Sequence, residues 1–228
     1  MATELTWLGH GSWAIQTGDT ALLVDPFLDD NPASPVKAGD VLADYILVSH
    51  GHFDHLPDAA AIAQRTGAQI ISNFEITEWF RTKHEIENLM PMNIGGGAPL
   101  PFGHVKMTLA HHSSGLPDGS YGGTAAGFVL TFPEGKVYFA CDTSLFGDMQ
   151  LIGRQGIDLA ILPIGDLFTM GPDDSIDAIK LVGPKRVAPA HYNTWPPIVQ
   201  DADQWAQRVQ NETTAEPVVV APGEKISL

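Results

Sequence analysis

The stretch Val48-Ser49-His50-Gly51-His52-Phe53-Asp54-His55 decides how this chain is read, because it sets four nitrogen and oxygen donors within six positions directly after the apolar run Tyr45-Ile46-Leu47. In an extended or turning backbone alternate side chains share a side, so His50 and His52 point together while Asp54 and His55 reach a second point at the following turn. That arrangement suits two metal ions lying close to each other. Pro57 then opens a helix candidate, which would brace the turn with a helix N-terminus. A merely polar loop has no reason to concentrate imidazoles in this way.

Working outward, 228 residues are enough for one αβ domain with a sizeable core, and residues 1–228 are read as a single domain. Hydrophobic residues make up 44% and charged residues 17%, which excludes the disordered class. No run approaches the roughly 18 apolar residues of a membrane span, and the opening MATELTWLGHGSW lacks a basic stretch followed by an apolar one. No membrane is therefore expected, and the expected location is cytoplasmic. The only cysteine, Cys141, permits neither an intrachain disulfide nor a thiolate cluster, so a metal must take nitrogen and oxygen ligands. With 12 Lys and Arg against 27 Asp and Glu, the formal charge of −15 opposes phosphate backbones. The expected partner is a small-molecule substrate and not nucleic acid; a homo-oligomer stays open.

Apolar runs bounded by Gly, Pro, Asp or Asn predict strands at 3–8, 12–16, 20–25, 44–48, 69–71, 104–110, 126–131, 136–141, 158–162, 186–190 and 217–221. Helices are predicted at about 57–66, 75–84, 173–182 and 201–211, falling between the strands. This order suggests two sheets packed face to face with helices outside. Three turn-rich stretches, 29–41, 93–103 and 112–124, are too long for ordinary hairpin loops and are expected to rim a site. Gly95-Gly96-Gly97 lacks the lysine, the serine or threonine and the following helix of a phosphate-cradling loop, and is read as a plain turn.

The spacing His-x-His-x-Asp-His after a strand, complete at 50–55, resembles the signature of the metallo-β-lactamase superfamily. The resemblance reaches His112 in Ala110-His111-His112-Ser113-Ser114, Asp142 in Ala140-Cys141-Asp142-Thr143 and His191 in Pro189-Ala190-His191-Tyr192-Asn193. Within that superfamily, Leu8-Gly9-His10-Gly11-Ser12, Thr169-Met170-Gly171-Pro172 and His191-Tyr192-Asn193-Thr194-Trp195 are similar to bacterial metal-dependent hydrolases related to L-ascorbate 6-phosphate lactonase. The resemblance implies an α/β fold, the four-layer αββα sandwich. It also implies that one ion takes His50, His52 and His112, the other Asp54, His55 and His191, with Asp142 bridging. His112 is preferred over His111 because the family's histidine precedes a serine, and consecutive strand residues point oppositely. By the same alternation Cys141 faces away from the ions as a core residue.

The implied chemistry is hydrolysis by a hydroxide bridging two divalent ions, zinc first, with manganese, nickel or iron as alternatives. Asp54, also a ligand, would steer that nucleophile or receive its proton, as the resemblance implies. A small carbonyl substrate (lactone, ester or amide) is expected, with a phosphodiester open. The alternatives are an iron-dependent oxidoreductase or sulfur dioxygenase on the same fold, and a non-catalytic metal-binding protein. Four further residues are singled out around the ligands. Asp25, ending a strand, is a candidate hydrogen-bond partner of a ligating histidine. His10 is expected near the ions, and Tyr192 and Asn193 to line the pocket, whereas Trp195 is read as core.

Overall fold

The computed structural model describes residues 2–228. The first half of the chain runs through β1 (Thr3–Trp7), β2 (Trp13–Thr17), β3 (Thr20–Val24), β4 (Tyr45–Leu47), α1 (Ala59–Thr66), β5 (Gln69–Asn73), α2 (Phe74–His84) and β6 (Leu89–Met92). The second half runs through β7 (Gly97–Leu100), β8 (Gly103–Leu109), β9 (Ala126–Phe132), β10 (Gly135–Phe139), α3 (Met149–Gly153), β11 (Leu159–Pro163), α4 (Pro172–Val182), β12 (Arg186–Ala190), α5 (Ala202–Glu212), β13 (Glu216–Pro217) and β14 (Lys225–Ser227). Two mixed seven-stranded sheets result, ordered β14-β1-β2-β3-β4-β5-β6 and β13-β12-β11-β10-β9-β8-β7.

Strand alternation places the layers. Leu22 and Val24 of β3 join the core that also holds Val105, Phe128 and Phe139 of the second sheet, while Leu23 between them joins a separate core. The same division separates Leu47 from Ile46 in β4 and Ile71 from Ile70 in β5. One face of the first sheet therefore meets the second sheet, and the other is covered by Ala59, Ile62 and Ala63 of α1 and Ile76 and Phe80 of α2. Near-continuous apolar strands are what burial on both faces requires. Helices α4 and α5 contribute Ile176, Ile179, Trp205 and Val209 to the core containing the second sheet, and the Trp205 indole N–H donates to Ser175 Oγ at 2.8 Å, which joins the two helices. The αββα sandwich is thus present. Among the described residues no helix is long and apolar enough to cross a membrane.

The departures from expectation cluster at sheet edges. Strands β6, β7 and β14 and the short α3 were not predicted, and the strand expected at 217–221 shrinks to Glu216–Pro217. Strands β6, β7 and β13 are or include outermost members of their sheets, and they carry Pro91, Pro99 and Pro217. Proline gives up one backbone donor, which an edge strand tolerates and a central one does not, so these segments look like loops in sequence. The stretch 93–103 is accordingly half hairpin. Helix α1 begins at Ala59 and not at Pro57; Asp58 at its N-cap position does not cap it, its Oδ2 accepting instead the N–H groups of Leu28 at 2.6 Å and Asp29 at 3.1 Å.

The β7–β8 hairpin turns on Gly103, whose φ of +143° is open only to glycine and whose added Cβ would lie 1.9 Å from the Thr131 carbonyl oxygen. Gly103→Ala is expected to cost more than about 2 kcal/mol, since both the backbone angle and the pairing with β9 must give way. A denaturant midpoint equal to that of the parent protein would contradict this reading of the turn.

Candidate metal centre

The donor residues stand along one edge of the sandwich because the strands that deliver them run the same way. His10 follows β1, Asp25 follows β3 and the 50–55 segment follows β4; His112, Asp142 and His191 follow β8, β10 and β12. Backbone hydrogen bonds stitch the two sheets together here, from Ala126 N to Ser49 O at 3.0 Å and from His191 N to His10 O at 3.0 Å. Four residues of these turns, His10, Asp25, Cys141 and His191, hold left-handed backbone angles with φ between 46° and 54°. Such strain in non-glycine residues persists where the surroundings impose it, and it gathers at functional sites. It also corrects the alternation argument at Cys141. Strand β10 has ended at Phe139, so the direction of Asp142 is set by the left-handed turn and not by strand pleating.

Three nitrogens form one group. His50 Nε2 lies 3.0 Å and His112 Nε2 3.2 Å from His52 Nδ1. A second group gathers His55, Asp54, His191 and His10. Between them stands Asp142, whose Oδ2 is 3.1 Å from His191 Nε2, 3.3 Å from His55 Nε2, 3.6 Å from His112 Nε2 and 3.9 Å from His50 Nε2. Of these buried atoms, His55 Nε2, both nitrogens of His191 and Asp142 Oδ1 have no hydrogen-bond partner among the described residues. Buried polar atoms left in this way cost free energy unless something further satisfies them. A cation accepting lone pairs from His55 Nε2, Asp142 and one nitrogen of His191 would satisfy most of them.

Hydrogen-bond bookkeeping fixes which nitrogens are bare. Asp25 offers only acceptors as a carboxylate, taking Ser49 N–H at 2.7 Å, Ser49 Oγ–H at 2.6 Å and facing His55 Nδ1 at 3.0 Å. His55 must therefore carry a proton on Nδ1, so that in the neutral imidazole the lone pair is on Nε2. Ser49 has spent its hydrogen on Asp25, so at 2.9 Å it can only accept from His50 Nδ1–H, and His50 Nε2 is bare as well. One carboxylate orients two imidazoles, as the outer partners of metal ligands do. His10 Nε2–H faces Asp54 Oδ2 at 3.1 Å, with Thr194 Oγ 2.8 Å from its Nδ1. Gly11 has to be glycine for this packing, since a Cβ there would sit 2.9 Å from His55 Cε1.

Electrostatics leave these groups in ligand form. Burial pushes the pKa values of His50, His52 and His112 below the ordinary imidazole value. Burial and then His191 push His10 down to about 4. For Asp54 burial raises the pKa, but the hydrogen bond from His10 and the proximity of His55 hold it well below the usual carboxylate range. Burial likewise opposes ionisation of Asp142, and His191 and His55 outweigh it. His55 is the exception: burial disfavours its cation, but Asp142 and Asp25 hold its pKa well above the ordinary value.

A cleft of about 510 Å³ opens beside the cluster, touched by His52, Asp54, His112, Asp142 and His191 and walled by Phe53, Phe168, Trp195 and Pro197. Two expected pocket residues are elsewhere. The left-handed turn at His191 sends Tyr192 back to stack on Trp7 with centroids 5.2 Å apart, and Asn193 Oδ1 accepts Gln200 N–H at 2.8 Å to close a turn. Trp195, read as core, lines the cleft instead, flanked by His10 at 4.9 Å and Phe27 at 6.0 Å between ring centroids. His111 stacks on Phe146 at 4.7 Å, outside the cluster. Of the three turn-rich stretches, only 112–124 reaches the cleft, through His112 and Ser113; Ser114 bonds Gly51 N and Gly122 O.

Comparison with known proteins gives a consistent result. Residues 20–192 match the model of the beta-lactamase superfamily domain. The chain is 45% identical over 225 residues to a Thermus thermophilus protein named UPF0173 metal-dependent hydrolase, covering 99% of each. It is 46% identical over 211 residues to a protein of the same description from Methylacidiphilum infernorum, covering 92% of this chain and 93% of that one. Among solved structures, Igni18, described as a metallo hydrolase from Ignicoccus hospitalis, superposes with a TM-score of 0.89 at 34% identity, covering 100% of this chain and 99% of the other.

Proposed function

The chain belongs to the beta-lactamase superfamily, and on that premise we propose that it is a metal-dependent hydrolase of small molecules working with two divalent cations. The observation that carries the reading is the single carboxylate oxygen, Asp142 Oδ2, within 3.1 to 3.9 Å of four imidazole Nε2 atoms. Two nitrogen-rich groups meeting at one carboxylate fit a dinuclear centre better than a single ion. His50, His52 and His112 would hold one cation, Asp54, His55 and His191 the other, and Asp142 both. Zinc suits this imidazole and carboxylate set, as do manganese, nickel and iron. When bound, the pair supplies Lewis acidity that polarises the substrate oxygen and lowers the pKa of water from 15.7 to about 7.

The chain's own residues do the rest. Asp25 keeps the His50 and His55 tautomers that turn a lone pair to the cluster. His10 donates Nε2–H to Asp54 Oδ2 and so fixes the carboxylate that would orient the attacking water. The preferred reaction is attack on a lactone, ester or amide carbonyl, with phosphodiesters second. A cleft of this size and a charge of −15 favour a small substrate over nucleic acid.

Metal analysis of protein purified without chelator should return about two equivalents per chain, and a panel of esters, lactones, amides and phosphodiesters should show hydrolysis that chelation abolishes. Oxygen consumption without hydrolysis, or metal without turnover on the whole panel, would overturn the proposal. Asp25→Asn removes the acceptor that fixes both tautomers and is expected to lower metal affinity about 10- to 100-fold, read by competition with a fluorescent chelator. Unchanged affinity would assign Asp25 to the scaffold alone.

A further inference from the structure

The cleft beside the cluster has a chemistry of its own. Phe53 is 63% exposed and Phe168 55%, and both line the cleft. No lysine or arginine is among the lining residues. Trp195 is held between His10 and Phe27, with Phe53 6.2 Å away, giving one wall a fixed aromatic surface. The loop that carries Phe168 is also held in place. Asp166 and Leu167 both adopt left-handed angles, with φ of 62° and 49°, and the loop is anchored by Met170 N–H donating to Thr143 O at 2.9 Å and Leu167 N–H to Asp166 Oδ1 at 2.8 Å. A loop that bears this strain in order to present Phe168 to water has its explanation in what Phe168 contacts.

We propose that the Phe53, Phe168, Trp195 and Pro197 walls form a specificity pocket for an uncharged, apolar acyl or aryl group on the substrate. The proposal rests on the hydrolase reading for the identity of the reacting end, while the pocket reads the end that does not react. A phosphate or carboxylate on that remote end would enter a wall with no cationic donor, on a chain carrying −15, and would lose its hydration without replacement. An aryl ring or a chain of several methylenes loses only unfavourable contact with water. The volume of about 510 Å³ lies within the range of small-molecule sites and leaves room for such a group next to the reacting carbonyl.

Two measurements on the metal-loaded protein test this, with one repeated on chelated protein. The first is hydrolysis of 4-nitrophenyl acetate, butyrate, pentanoate and hexanoate against the 4-nitrophenyl monoester of glutarate. Full burial of one methylene corresponds to about a fourfold gain. The expected result is kcat/KM rising with acyl length by a factor approaching that per methylene, with the glutarate monoester at least tenfold below the chain of equal length. The second is binding of neutral 4-phenylbutyramide, followed by Trp fluorescence and by calorimetry with and without metal. Phe168→Ser is expected to flatten the chain-length dependence and weaken amide binding about tenfold in both forms, while Leu42→Ser, at a distant exposed position, changes neither.

A flat chain-length series, or amide affinity indifferent to Phe168→Ser, overturns the pocket and leaves the hydrolase standing if acetate is cleaved in a chelator-sensitive way. Amide binding that depends on Phe168 without hydrolysis of any ester supports the pocket and counts against the carbonyl reading of the reaction. Sedimentation showing that Phe168→Ser dissociates an oligomer with ligand affinity untouched assigns these aromatics to self-association and also overturns the proposal.

Discussion

Asp142→Ala is expected to lower kcat/KM by about 10³-fold or more and to leave less than one equivalent of metal per chain. The magnitude follows from the several kcal/mol that metal-centred charge stabilisation contributes to a hydrolytic transition state, with each 1.36 kcal/mol worth a factor of ten. Every other expected ligand belongs to one side of the cluster, whereas Asp142 Oδ2 approaches nitrogens of both, His191 at 3.1 Å and His55 at 3.3 Å on one side, His112 at 3.6 Å and His50 at 3.9 Å on the other. Its loss therefore loosens two sites at once. Asp142→Asn separates charge from shape: it keeps the volume and one oxygen, and is expected to lose nearly as much. Either variant retaining two equivalents of metal and a rate within tenfold of the parent, with native circular dichroism, would reject the shared-ligand assignment.

Why the cluster was so legible in sequence, and its surroundings less so, has a physical explanation. The donors announce themselves because imidazole and carboxylate are chemically distinctive wherever they occur, and His50, Asp142 and His191 each follow an apolar run read as a strand, so they could be placed without knowing how the strands pair. Asp25 was recoverable for the same reason, standing at the end of β3 beside the signature segment. The aromatic walls were not. Phe53, Phe168 and Trp195 are apolar, and an apolar residue in sequence defaults to the core; that Phe53 and Phe168 are more than half exposed depends on loop geometry that no periodicity encodes. Tyr192 and Asn193 were misplaced by the same ignorance, since adjacency to His191 suggests proximity and the left-handed turn at φ 53° reverses it. The edge strands β6 and β7 were hidden by Pro91 and Pro99, which are tolerated there only because one side of each strand needs no partner.

Removing metal with a strong chelator is expected to abolish hydrolysis and to lower the melting temperature by about 10 °C. A ligand present at a thousandfold over its dissociation constant stabilises the native state by about 4 kcal/mol, and for a chain of this length each kcal/mol moves the midpoint by roughly 2–4 °C. The structural reason lies in where the ligands originate. His50, His52, Asp54 and His55 hang from β4 in one sheet, and His112, Asp142 and His191 from β8, β10 and β12 in the other, so cations held among them tie the two sheets together at their open edge. Without them that edge relies on packing and on the backbone bonds between Ala126 and Ser49 and between His191 and His10, while His55 Nε2 and His191 Nε2 remain buried without hydrogen-bond partners among the described residues. Hydrogen exchange should accelerate first at Ala126 and His191, ahead of the strand centres. The Asp142→Ala variant supplies the control, because its melting should respond little to chelator. A parent protein stripped below a tenth of an equivalent whose midpoint and edge exchange stay in place would mean that the sheets do not depend on these ligands for their closure.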